Sequence, residues 1–218
     1  MAITLAKRLA AGENETMASS ILAHFRELIS YIKKQKSLNI PIAKKNNSWN
    51  KCLGDITSCL FSNYIEKMIG NKYAISGPNS FVDGFPYEFD LLILKKGAKN
   101  MKFTSIYKPE DVVCCVEFKS YAPRKNEDQL GDYAKEFKRR FKSLKKIKFI
   151  YLTMLISDKK FDELKSEFEP EIKCFRICKG TENSKCFKNC GRGCSESCKS
   201  DWENTWKSLK KELLEAKK

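Results

Sequence analysis

The run Val112–Phe118, VVCCVEF, constrains the fold of this chain more than any other segment, because Glu117 is its one polar residue. A strand with apolar side chains at successive positions buries both faces, so it needs a packed layer on each side. A second run of this kind is Ile147–Ile156, IKFIYLTMLI, and a third is Tyr87–Leu94, YEFDLLIL. Phe103–Tyr107 reads as a short edge strand, Ile75–Asn79 as a strand end and turn, and Ile172–Ile177 as a last strand. Helical periodicity separates them. Leu130, Tyr133, Phe137, Phe141 and Leu144 mark a helix over Asn126–Leu144, and Asp158–Phe168 is a shorter one capped by Ser157 or Asp158. The expected fold is α/β, with a mixed central sheet flanked by helices.

Ahead of this core, Ala18, Ile21, Leu22, Phe25, Leu28, Ile29 and Ile32 predict a helix within Thr16–Lys36, with His24 on the edge of its stripe. Ser37–Asn47 reads as a connector. A second helix buries Leu53, Ile56, Leu60, Phe61, Tyr64, Ile65 and Met68, packs Cys52 and Cys59, and ends at Gly70-Asn71. At the other end, Trp202, Trp206, Leu209, Leu213 and Leu214 predict a basic amphipathic helix that packs on the domain or forms a dimer contact. The expected division is 1–47 as a helical extension, 48–173 as the α/β core, 174–200 as a Cys-rich segment and 201–218 as a final helix.

Composition narrows the function classes. The chain has 218 residues, with 42 Lys plus Arg against 27 Asp plus Glu, a formal net charge of +15. Such an excess favours a polyanionic partner, above all nucleic acid, against the alternative of lysines scattered over solvated faces. The single His excludes mechanisms that need a His pair, and there is neither a G-x-x-x-x-G-K-[ST] nor a G-x-G-x-x-G loop. The longest apolar stretch, Phe149–Ile156, is too short to cross a bilayer, and the N-terminus has no continuous apolar signal segment, so a cytoplasmic protein with no membrane partner is expected.

Three charges interrupt the apolar strands. Glu117 and Lys119 project together at i and i+2 while Phe118 points into the other layer, and Glu88 and Asp90 share a face by the same rule. Carboxylates from two neighbouring strands can grip one Mg²⁺ with several waters. A lysine beside them can act on a metal-bound water, which then attacks a phosphodiester. Asp90 followed by Glu117-x-Lys119, on a helix–strand–strand–strand–helix–strand order, resembles the PD-(D/E)xK, or restriction-endonuclease-like, nucleases over about half of the chain, 48–157. Pro86 lies four residues ahead of Asp90, a departure from the family's adjacent Pro.

The resemblance implies an αβββαβ core and a Mg²⁺- or Mn²⁺-dependent nuclease. It implies Asp90 and Glu117 as metal ligands and Lys119 as the group acting on the attacking water; the Phe118 carbonyl is a candidate further ligand. Glu66 resembles an extra acidic residue of the RecB-type branch, and Gln129 with Tyr133 its Q-x-x-x-Y pattern. A solvated helix position competes for Glu66, and core packing for Tyr133. The implied activity is cleavage of DNA, double-stranded for preference, as an endonuclease of restriction or defence type, with a homodimer as one means of cutting both strands. The alternatives are a non-catalytic nucleic-acid-binding protein with a zinc module, and a RecB-type repair exonuclease with an Fe–S cluster.

Two further clusters bear on partners. From Lys119 to Lys148 there are 11 Lys or Arg against four acidic residues. Arg124, Lys125, Lys138, Arg139, Arg140, Lys142, Lys145 and Lys146 are the candidate contacts to a phosphate backbone. Six cysteines fall within 25 residues: Cys174, Cys178, Cys186, Cys190, Cys194 and Cys198. In a reducing compartment this density favours Zn²⁺ through thiolates, with an iron–sulfur cluster and disulfides or free thiols as the alternatives. Cys114 and Cys115 are read as small core residues.

Overall fold

The computed structural model describes residues 46–101, 104–121, 130–144, 146–179 and 196–215, together with Glu27 and Ser30. The expected helix within Thr16–Lys36 lies outside them apart from those two positions. Among the described residues the first element is helix α1, Asn46–Ile69, which buries Phe61, Tyr64, Ile65 and Met68 along one stripe. Gly70 ends α1 at a φ of +56°, a left-handed conformation that a Cβ disfavours. Cys59 does not pack inward: it is exposed, one position past the buried Ser58, on the solvent stripe shared with Asp55, Asn63 and Glu66.

The chain then builds two sheets. The main sheet joins β1 (Tyr73–Ile75), β4 (Leu91–Lys95), β6 (Val112–Tyr121), β7 (Lys148–Ile156) and β8 (Ile172–Lys179) in the order β1-β4-β6-β7-β8. The β1/β4 and β4/β6 pairs are antiparallel, and β6/β7 and β7/β8 are parallel, so the sheet is mixed as expected. A smaller sheet holds β2 (Ser80–Val82) between β3 (Glu88–Phe89) and β5 (Ile106–Tyr107). The helices are α2 (Leu130–Arg140), α3 (Asp158–Phe168) and α4 (Glu196–Leu214). The order α1, β1, β4, β6, α2, β7 contains the αβββαβ succession.

Alternation along the strands divides the core into two layers. On one face Leu91, Ile93, Cys114, Val116, Phe118, Ile150 and Leu152 meet Phe61 and Ile65 of α1 and Leu209 and Leu213 of α4. On the other, Leu92, Leu94, Cys115, Phe149 and Tyr151 meet Ala134 and Phe137 of α2 and Leu164 and Phe168 of α3. Both Cys114 and Cys115 are therefore core residues, one per layer, and burial pushes both thiols well above their ordinary range. Helix α4 packs on the domain: Trp206 meets Tyr64 edge-on at 6.4 Å, and Lys148 Nζ bridges to Glu212 Oε1 at 2.6 Å. It begins at Glu196, inside the expected Cys-rich segment, and β8 runs on to Lys179.

The expected single strand Tyr87–Leu94 is broken at Asp90. Phe89 and Leu91 are both fully buried but in opposite layers, whereas i and i+2 of one strand would share a face. Phe89 is drawn to the Phe85 and Phe137 rings and pairs with Ser80 in the small sheet, while Leu91 pairs with Val116 in the main one. Asp90 is the hinge between them. Phe103, within the expected edge strand, and the leading part of the helix expected from Asn126 lie outside the described residues.

Candidate active site

Asp90, Glu117 and Lys119 come together where β4 leaves β6. The β4/β6 pairing stops at Leu91↔Val116, and the next amide on that edge of β6, Phe118 N–H, donates to Asp90 Oδ2 at 2.7 Å. The Asp90 carboxylate thus takes the ladder position that β4 vacates. The N–H and C=O of one strand residue leave on the same edge, so the Phe118 carbonyl faces the same gap. Glu117 and Lys119 follow Cys115 in alternation and lie on the α2 side of the sheet, and Lys119 Nζ donates to Glu117 Oε1 at 2.5 Å. The Phe118 side chain points to the other layer and stacks on Phe61 of α1 at 5.0 Å and 21°.

Burial dominates the electrostatics of Asp90 and raises its pKa; the Phe118 amide and the Lys119 charge oppose that, and Glu88 and Asp55 add to it. A half-buried carboxyl held towards its neutral form, beside a second carboxylate, is a site where a cation would be stabilised. The donor set is hard oxygen: two carboxylates and the Phe118 carbonyl. That fits Mg²⁺, which is held by one or two carboxylates and keeps several waters. Among the described residues no group of three or more His, Cys, Asp or Glu side chains is placed to hold a metal ion.

The structure treats the other site expectations differently. Glu66 is exposed on α1, and the α1 carboxylate whose charge reaches Asp90 is Asp55. The two are three helical turns apart, about 16 Å along the axis. Asp55 has no motif around it; only the packing of α1 across the end of β6 gives it that role. Gln129, Arg124, Lys125 and Lys145 lie outside the described residues. Tyr133 is half-buried and stacks on Tyr87 at 4.0 Å and 16°.

On α2, Lys138, Arg139 and Arg140 occupy the last turn, followed by Lys142 and Lys146. The two arginines do not both stand out as isolated cations. Glu136 takes Arg139 Nη2 at 2.7 Å and Arg140 Nε at 2.6 Å, and Arg140 Nη1 also donates to Gly84 O at 3.0 Å. Those guanidinium hydrogen bonds, Arg139 first, pull the Glu136 carboxyl down to about 2.

Cys174 and Cys178 are both buried, Cys174 in the layer of α2 and α3 and Cys178 in that of α1 and α4, on opposite faces of the sheet. Cys186, Cys190 and Cys194 lie outside the described residues, and Cys198 is placed in the first turn of α4 by its backbone alone.

No family model matches the chain, and no curated protein matches it. A solved structure similar to it is that of NucC from P. aeruginosa ATCC27853 in its cAAA-bound form. The sequence identity is 14% and the TM-score 0.39, over 62% of this chain and 61% of that one. The functional reading therefore rests on this chain's own residues. No helix among the described residues is long and apolar enough to cross a membrane.

Proposed function

We propose that this chain is a divalent-metal-dependent nuclease that hydrolyses phosphodiester bonds. The observation that carries the reading is the junction of Asp90, Glu117, Lys119 and the Phe118 carbonyl at the point where β4 departs from β6. Charges at the end of an otherwise apolar strand are costly unless paired or metal-bound, and this set is arranged about an open strand edge.

Asp90 and Glu117, with the Phe118 carbonyl, would hold Mg²⁺ or Mn²⁺, which supplies a nucleophilic hydroxide and charge neutralisation at the phosphate. Phe118 N–H fixes the Asp90 carboxylate by holding Oδ2, leaving Oδ1 to turn towards the gap. Lys119, tethered to Glu117, lies within side-chain reach of the same gap and would stabilise the attacking water as it loses its proton, or take that proton up. Lys138, Arg139, Lys142 and Lys146 at the end of α2 give that end of the helix a positive field for a nucleic-acid backbone. Within this reading we assign DNA as the substrate and defence by endonucleolytic cleavage as the role.

The test is cleavage of supercoiled plasmid and linear duplex with Mg²⁺, with Mn²⁺ and with EDTA, wild type beside Lys119→Ala. Metal-dependent nicking or linearisation that falls by about a hundredfold or more in the variant is expected. Equal cleavage by the two proteins, or cleavage in EDTA, rejects the site. Circular products separate endonuclease from exonuclease action.

A further inference from the structure

Lys119 on β6, Thr153 on β7 and Arg176 on β8 are register partners, so they form one row across the parallel part of the sheet and share the face that carries α2 and α3. Adjacent strands lie about 4.8 Å apart, which puts the Arg176 backbone about 10 Å from that of Lys119. Ligands of parallel sheets gather at the carboxyl ends of the strands, and this row lies towards those ends.

Arg176 is unusual within the row. Its guanidinium lies over the Phe161 ring at 4.8 Å, and Nη2 pairs with Asp158 Oδ1 at 2.5 Å. Its other terminal nitrogen, Nη1, is buried with no hydrogen-bond partner, as is the Oγ1 of Thr153 beside it. Nη1 has no solvent-exposed surface, so an anion in an adjoining groove would meet the charge of the guanidinium rather than this donor. Arg176 also lines a groove of about 330 Å³ between α3, β8 and α4, a size that suits a small ligand. Lys179, Asn204, Thr205 and Ser208 contribute to the same wall, Phe161 supplies an aromatic one, and no Asp or Glu is among the described residues that line it. Arg176 (its charge partly met by Asp158), Lys179, three neutral hydrogen-bonding side chains and a phenyl ring form a lining that favours an anion.

We propose that this groove is a phosphate-binding subsite built on Arg176. The phosphate belongs either to the nucleic-acid strand, beyond the scissile position, or to a free mononucleotide. The strand arm rests on the nuclease reading; the site itself does not.

The experiment is calorimetric titration at low ionic strength with inorganic phosphate and with a nucleoside 5′-monophosphate. Wild type, Arg176→Gln and Ser208→Glu are compared, with melting curves for each. Wild type should bind, and Arg176→Gln should bind about tenfold more weakly or worse. Ser208 is exposed, so Ser208→Glu should fold like wild type and lose phosphate through the carboxylate it introduces. Phosphate binding is read without a cleavage assay and can hold even if no nuclease activity is found, so the two readings fail separately. Displacement of the mononucleotide by a short oligonucleotide assigns the subsite to the strand, and simultaneous binding assigns it to a free ligand. No binding by wild type, or undiminished binding by a folded Arg176→Gln or Ser208→Glu protein, overturns the proposal.

Discussion

Asp90 Oδ2 accepts the Phe118 backbone amide at 2.7 Å, so one carboxylate both closes the open end of the β6 ladder and stands at the centre of the candidate site. Structural and chemical roles can be separated there by choice of substitution. Asp90→Asn keeps an oxygen that can accept the amide and removes the charge; it should abolish cleavage while leaving the fold intact. Asp90→Ala also strands the Phe118 N–H and should cost about 1–3 kcal/mol in addition. Urea unfolding of both variants alongside cleavage checks the pair, and equal stability of the two would remove the capping role.

Phe61 supports the site from beneath. Its ring stacks on Phe118 at 5.0 Å and is fully buried in the layer between α1 and the main sheet. Phe61→Ala should lower stability by about 3–5 kcal/mol, in the range for large-to-small core substitutions. Phe61→Leu should lose much less. Denaturant midpoints at constant slope are the readout.

Glu136 gives a pH dependence with a definite sign. Its folded pKa is depressed to about 2 by Arg139 and Arg140, so its stabilisation is present above the ordinary glutamate range and is lost as pH falls towards that value. The stability difference between wild type and Glu136→Gln should shrink across that acidic window and be constant above it; a difference that grows on acidification reverses the assignment. The same variant releases two guanidinium groups. If α2 meets a nucleic-acid backbone, its affinity should rise and its salt dependence steepen by about one to two phosphate contacts.

Thiol reactivity should follow burial. Cys59 is exposed on α1, whereas Cys114 and Cys115 are buried with thiols pushed up by desolvation. Brief alkylation of the native protein, read by peptide mass mapping, should modify Cys59 and spare Cys114 and Cys115. Denaturant should expose all three. Rapid native labelling of Cys114 would contradict the placement of β6 at the centre of the sheet.

Local order was written in the chain. The apolar runs of β6 and β7 announce strands covered on both faces, the spacing of Glu117 and Lys119 puts them on one side, and the stripe on α1 names Phe61, Tyr64, Ile65 and Met68 as buried, because these features depend on the period of the backbone. The basic excess and the αβββαβ succession are legible in the same way. Tertiary structure decided what depends on meetings between distant segments. The break at Asp90 arises because Phe89 and Leu91 are claimed by different layers, a competition that no local period encodes. The nearness of Asp55 rather than Glu66 follows from how α1 crosses β6. Capture of Arg139 and Arg140 by Glu136, the placing of Cys174 and Cys178 on opposite faces, and the alignment of Lys119, Thr153 and Arg176 are set by side-chain geometry and strand register. Periodicity assigns a residue to a face of its own element, and only packing determines what that face meets.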